Sequence, residues 1–195
     1  MLLSLVYLTF LVQFSIRFLP KYRIFTQIKS PILRSSQIMN TISKSELPRQ
    51  VVRHILMIAI GPLALLNQFK CLLDIKGCEF FSLQVGPRRT DISQNGYDHT
   101  IKDLGKMVAN FSDTTSAILQ LDLVISVDTA IVHLAGALGK PVWTLLPFIP
   151  DWRWMLNRSD SPWYPSMTLF RQKELGGWNG VFQEIRLALT RYSQR

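Results

Sequence analysis

The sequence predicts an α/β domain built around a parallel sheet, and three observations carry that expectation. Strand-like and helix-like runs alternate from about Pro62 onward, the pattern of a parallel sheet with right-handed crossover helices packed on it. Residues 121–146 show the unit in miniature: an apolar strand over 121–127, a turn at Asp128-Thr129, a helix over 130–138, a stop at Gly139 and a second strand over 142–146. Hydrophobic residues make up 48% of the 195, enough to fill the core of one sizeable domain.

Charge divides the chain unevenly. The net charge is +9, yet residues 1–53 hold eight Lys and Arg against the single acidic Glu46 and so carry most of it. The remainder is close to balanced, which argues against a nucleic-acid polymer as partner. Residues 1–16, from Met1 to Ile16, are almost wholly apolar and are followed by Arg17, Lys21 and Arg23. That run is short for a membrane span, which needs about 20 residues. It also lacks the basic leader and small-residue cleavage site of a secretory signal. Three readings stand for it: an anchor at the inner face of the membrane, a targeting peptide, or a segment outside the fold. Residues 17–50 are basic, rich in Ser and Thr, and broken by Pro20, Pro31 and Pro48, as in a linker or poorly ordered stretch. Residues 1–50 are therefore set apart as an irregular or helical extension, and residues 51–195 as the folded domain. Cys71 and Cys78 fit neither a metal motif nor a disulfide framework. Cys71 reads as a buried thiol, and a reducing, cytoplasmic compartment follows.

The elements can be taken in order. Residues 51–75 read as mostly helical, with Pro62 opening a helix to 73 that carries Leu63, Leu66, Phe69 and Leu73 on one stripe. Gly77 closes it. A strand over 79–84 ends at Gly86-Pro87, and 88–95 is a polar loop whose Arg88 and Arg89 face either solvent or a phosphate. A weak strand over 100–104 ends at Gly105. Asp113-Thr114-Thr115 supply capping residues for a helix over 114–120. After the 142–146 strand comes an aromatic segment, Phe148 to Trp154, and then Asp160-Ser161-Pro162-Trp163-Tyr164-Pro165. A short strand over 167–170 and Gly176-Gly177 precede a closing amphipathic helix over 178–192, with Val181, Ile185, Leu189 and Tyr192 inward.

The turn at Asp128-Thr129-Ala130 is the candidate site. It falls where a parallel strand ends and a helix begins, the place where open α/β sheets bind ligands. The helix start offers unpaired amides and a positive dipole end, both suited to phosphate. Asp and Thr are also ordinary N-cap residues, so the turn alone fits both readings. His133 either donates to a phosphate or ribose, or packs half-buried on the sheet. Trp152, Arg153 and Trp154 suit a base or sugar platform, with core packing the other reading, above all for Trp154. The chain has no nucleophile elbow, no zinc-ligand spacing, no Walker lysine loop, no Gly-x-Gly-x-x-Gly and no Asp-x-Asp. No metal and no cofactor are expected.

Three runs carry a family resemblance: Asp113 to Ala117, Leu121 to Ala130, and His133 to Trp143. Together they resemble the C-terminal half of glycosyltransferase family 9, the heptosyltransferase-like enzymes. The continuation, Leu145-Leu146-Pro147-Phe148, Pro150-Asp151-Trp152-Arg153-Trp154 and Asp160 to Pro165, is similar to a bacterial branch in which this domain follows tetratricopeptide repeats. The resemblance covers about residues 62–192. It implies one Rossmann-like half of a GT-B fold, with helices on both faces of the sheet. It also implies a nucleotide-sugar donor, metal-independent inverting transfer, and an acceptor domain that supplies the catalytic base. Asp128, Thr129 and Ala130 would then cradle the donor phosphates, with His133, Gln84, Trp152 and Arg153 around them and no catalytic residue assigned. Three departures from the pattern imply a truncated member, weakly active or inactive alone. The acceptor domain and repeats have no counterpart. The first strand and glycine loop of the donor domain, expected before about residue 45, are replaced. Val85 stands where the pattern has a phosphate-contacting Lys. The alternative is a non-catalytic, membrane-associated or interaction module that keeps the fold.

Overall fold

The computed structural model describes residues 53–58 and 66–194. Six strands form one sheet: β1 (Arg53–Ile58), β2 (Cys78–Ser82), β3 (Ile101–Asp103), β4 (Leu123–Val127), β5 (Val142–Leu146) and β6 (Met167–Arg171). The order is β3-β2-β1-β4-β5-β6, and every pairing is parallel. The chain thus winds outward in one direction from β1 and then in the other from β4. The point where the order reverses lies between β1 and β4, and in such sheets the crevice beyond the strand ends there receives the ligand.

The strand at the centre corrects the sequence reading. Residues 51–75 do not run as a helical stretch: Arg53–Ile58 is a strand, and Ile55 to Ile58 lie in register with Leu123 to Ser126 of β4. Nor is the first strand of the sheet missing, because Arg53–Ile58 supplies it. A continuous apolar run such as Ile55-Leu56-Met57-Ile58 suits a strand flanked on both sides, and short runs of this kind carry no periodicity to separate strand from helix. Of the helix expected over 62–73, the described part is α1 (Leu66–Phe69), which tightens into a 3-10 turn at Lys70–Leu72. Phe69 and Leu72 are buried there, as is Ile75 just beyond, and Cys71 is half-buried rather than enclosed.

Helices cover both faces. On one face lie α3 (Phe111–Gln120) and α4 (Ala130–Ala137), packed over Val124, Val142 and Leu146 together with Trp154 and Tyr164. On the other lies α5 (Trp178–Ser193), whose Val181, Phe182, Ile185 and Leu189 are buried against Leu123, Ile125 and Leu145. Tyr192 closes that helix onto the sheet by donating its hydroxyl to the Asp122 carbonyl at 3.0 Å. The expected loop over 88–95 contains a 3-10 turn at Pro87–Thr90 and a one-turn helix, α2 (Asp91–Gln94).

The α3 start is also earlier than the capping cluster suggested. Asn110 caps it, accepting from the amides of Ser112 at 2.8 Å and Asp113 at 3.1 Å, while Asp113 reaches back to the amide of Ala109. Asp113 thus lies within the first turn, its carboxylate accepting from the residue before the cap, instead of opening the helix. Thr114, Thr115 and Ser116 sit buried inside the first two turns because each hydroxyl donates to the carbonyl four residues earlier. Among the described residues no helix is long and apolar enough to cross a membrane. The membrane expectation rested on residues 1–16 and lies outside the described residues.

Candidate functional site

The site is assembled at the carboxyl end of β4. Leu123–Val127 is buried along its whole length, so the chain leaves the sheet at Asp128 and turns directly into α4. Thr129 occupies the N-cap position with extended backbone (φ −141°, ψ 168°), yet its side chain caps no helix amide. Its hydroxyl instead lies 3.2 Å from that of Ser126, which donates to the Val127 carbonyl. Among the described residues, no side chain is bonded to the amides of Ala130 and Ile131, which begin the helix.

The Asp128 carboxylate is engaged by side chains. Its Oδ2 accepts from the Trp154 indole Nε1 at 2.8 Å, with the Arg153 guanidinium 3.8 Å away. Its Oδ1 lies 3.5 Å from His133 Nε2. Burial works to raise the pKa of this carboxyl, but the bonds from His133 and Trp154 and the charge of Arg153 outweigh it and hold the group below the usual carboxylate range. Arg153 is itself fixed by Asp151, whose Oδ1 accepts from its Nε at 2.7 Å.

His133 stands one helical turn in, on the face toward Asp128. Its ring stacks on Trp154 at 5.2 Å between centroids and 21° between planes, and its Nδ1 is 3.1 Å from the Tyr164 hydroxyl. In the neutral ring the bonding pattern assigns Nε2–H toward Asp128 and a bare Nδ1 accepting from Tyr164. Both ring nitrogens are thus engaged inside the protein. Tyr164 lies flat on Gly136, where a Cβ would come within 2.6 Å of its ring. Burial pushes the Tyr164 phenol up to about 12 against the opposing charge of Arg153.

The segment carrying these aromatics is pinned in turn. Trp163 donates from its indole to the Arg153 carbonyl at 2.9 Å, and Arg171 of β6 donates to the Trp154 carbonyl at 2.5 Å. Ser161 Oγ accepts from the amides of Trp163 and Tyr164.

Of the residues singled out in the sequence, Asp128, Thr129, Ala130, His133 and Arg153 come together at one point. Trp152 stands at the rim, 78% exposed, whereas Trp154 is fully buried and bonded to Asp128. Gln84 lies beyond the end of β2, buried, and its Nε2 has no hydrogen-bond partner among the described residues. Val85 beside it is exposed. Arg88 and Arg89 face Asp91 and Asp103 at 3.8 and 3.4 Å. Sequence reasoning missed Tyr164 as a site residue. The available signal was its polar tip, since a buried Tyr or Trp needs a partner.

The fold is a Rossmann-like, doubly wound parallel sheet, and it is similar to one half of solved glycosyltransferases. The heptosyltransferase WaaC of E. coli, solved with ADP, superposes with a TM-score of 0.52 at 17% identity, covering 76% of this chain and 46% of that one. A family 9 glycosyl transferase from Veillonella parvula gives 0.53 at 13% identity, covering 79% and 50%. The chain resembles glycosyltransferase family 9 (heptosyltransferase), whose model matches residues 96–173. It is also 28% identical over 121 residues to protein FlbA of Caulobacter vibrioides, covering 60% of this chain and 20% of that protein. The chain spans about half the length of the solved structures it matches and a fifth of FlbA.

Proposed function

We propose that this chain is the donor-binding part of a metal-independent, inverting glycosyltransferase, with the diphosphate of a nucleotide sugar seated at the N-terminal end of α4. One observation carries the reading. Both residues that would ordinarily cap α4 are engaged elsewhere, Asp128 by Trp154 and His133 and Thr129 by Ser126, so the helix start is left to an outside anion. The ADP named with WaaC supports a nucleotide diphosphate as the ligand.

In this reading the α4 amides and dipole, with Arg153 beside them, meet the charge that grows on the leaving diphosphate as the glycosidic bond breaks. The exposed Trp152 suits the base or sugar. Residues 51–195 form the donor domain, and the acceptor and catalytic base come from a separate acceptor domain. The chain alone therefore binds the donor and transfers little or nothing. Calorimetry of the folded chain against nucleoside diphosphates and nucleotide sugars tests this. Saturable binding is expected, and silence at millimolar ligand contradicts it.

Val85 and the exposed apolar residues Phe148, Ile149, Trp152 and Leu156 favour a second reading, an interaction module that keeps the fold without the chemistry. That reading expects no nucleotide binding, so the same titration separates the two.

A further inference from the structure

We propose that Tyr164 and Trp154 are positioning residues of the donor site. Together they hold the His133–Asp128 pair so that the Asp128 carboxylate faces away from the α4 amides and leaves them open to phosphate. The inference rests on the donor-site reading above.

An aspartate immediately before a helix is drawn to the unpaired amides of the first turn. Asp128 is placed to do this and does not. Trp154, fully buried, takes Oδ2 at 2.8 Å, and His133 lies 3.5 Å from Oδ1. In the neutral ring a Tyr164 hydroxyl donating to Nδ1, 3.1 Å away, favours the tautomer that places Nε2–H toward Asp128. The ring cannot swing out of line. Trp154 stacks on one side at 5.2 Å, and Tyr164 stands edge-on at 5.7 Å and 60°. Tyr164 in turn spans one turn of α4, seated on Gly136 and bonded to His133 three residues earlier. Arg171 and Ser161 fix the backbone of the two aromatics from outside the site.

Loosening this clamp has a specific consequence. A released Asp128 carboxylate would reach the α4 amides itself. It would then occupy the anion position and set a negative charge where phosphate must bind. The loss therefore acts through Asp128 and disappears when Asp128 is removed.

The test is a double-mutant cycle read by calorimetric binding of inorganic pyrophosphate, with ADP in parallel, to the full chain. Tyr164→Phe keeps the ring on Gly136 and deletes only the hydroxyl. It is expected to weaken pyrophosphate about five-fold, the worth of one net hydrogen bond. In an Asp128→Ala background the same change is expected to leave affinity within about two-fold. Trp154→Phe, with folding checked by circular dichroism, is expected to behave alike. Equal weakening in both backgrounds overturns the proposal, because Tyr164 would then act without Asp128. An unchanged affinity in Tyr164→Phe also overturns it. Those results leave the donor site standing. A parent chain that binds neither pyrophosphate nor ADP fails the donor-site reading and takes this proposal with it.

Discussion

Gly136→Ala is the substitution whose sign the structure decides. Gly136 lies inside α4, and on helix propensity alone alanine there would stabilise by about 1 kcal/mol. The added Cβ, however, would lie 2.6 Å from Tyr164 Cγ, 2.7 Å from Cδ1 and 3.0 Å from Cβ. These atoms sit at the root of a side chain that is 3% exposed, so the ring cannot move aside without carrying its backbone. Overpacking of this kind costs about 1–3 kcal/mol. Displacing the ring also breaks the bond to His133, worth about 1 kcal/mol. The balance is a destabilisation of about 1–3 kcal/mol in place of a gain. Urea unfolding measures it as a lowered midpoint at unchanged slope. Gly180 in α5 is the internal control, because a Cβ there meets nothing within 4 Å. Gly180→Ala is expected to stabilise by about 0.5–1 kcal/mol. If Gly136→Ala proves as stabilising as Gly180→Ala, the packing of Tyr164 on α4 is refuted, and the clamp with it.

Other consequences follow from the same cluster. Asp128 is held below its ordinary carboxylate pKa, so the unfolded chain binds more protons there as the solution is acidified. Its stabilisation is present above the unfolded value of 3.8 and is lost as pH falls through the folded one. Asp128→Asn should therefore flatten the drop in urea midpoint below about pH 4, and an acid limb as steep as the parent's would contradict the assignment. Tyr164 has the opposite sign: its phenol is pushed up to about 12, so the folded state keeps a proton that the unfolded state has lost. Ultraviolet titration should show one tyrosine ionising late, near pH 12, and Tyr164→Phe should remove that step while sparing the rest. Trp152→Ala removes a rim side chain that is 78% exposed, so stability should change by less than about 0.5 kcal/mol. Any quenching of tryptophan fluorescence by bound nucleotide should weaken in the same variant.

Much of the fold was legible because the strand-turn-helix unit repeats at readable intervals. β4, α4, β5 and α5 fall within two residues of their expected bounds, since each is framed by a glycine, a proline or a polar turn. β1 was not legible. Its residues Ile55 to Ile58 form an apolar run too short for periodicity, and the helix-like pattern that follows absorbs it. The α3 start lies earlier than the three capping residues in a row suggest, because Asn110 Oδ1 accepts from the amides of Ser112 and Asp113.

The site divides the same way. Asp128, Thr129 and Ala130 could be read from their place between an apolar strand and an alanine-rich helix. That the Asp128 side chain is drawn off could not, because the bond that does it joins Asp128 to Trp154 across 26 residues, beside a His133 bonded to Tyr164 across 31. By sequence Trp154 suits both a platform and a core position. It is a core residue that presents one polar atom to the site, a combination that sequence position alone does not display.

The central claim is that the open amides at the start of α4 hold the donor diphosphate. The most direct measurement is a titration of the isotope-labelled chain with ADP, following the amide resonances of Ala130 and Ile131. These two are expected to move first and saturably, with smaller shifts at His133 and the Arg153 and Trp154 side chains, while α5 stays still. Saturable binding that leaves Ala130 and Ile131 unmoved, or no movement at millimolar ADP in a folded chain, would contradict it.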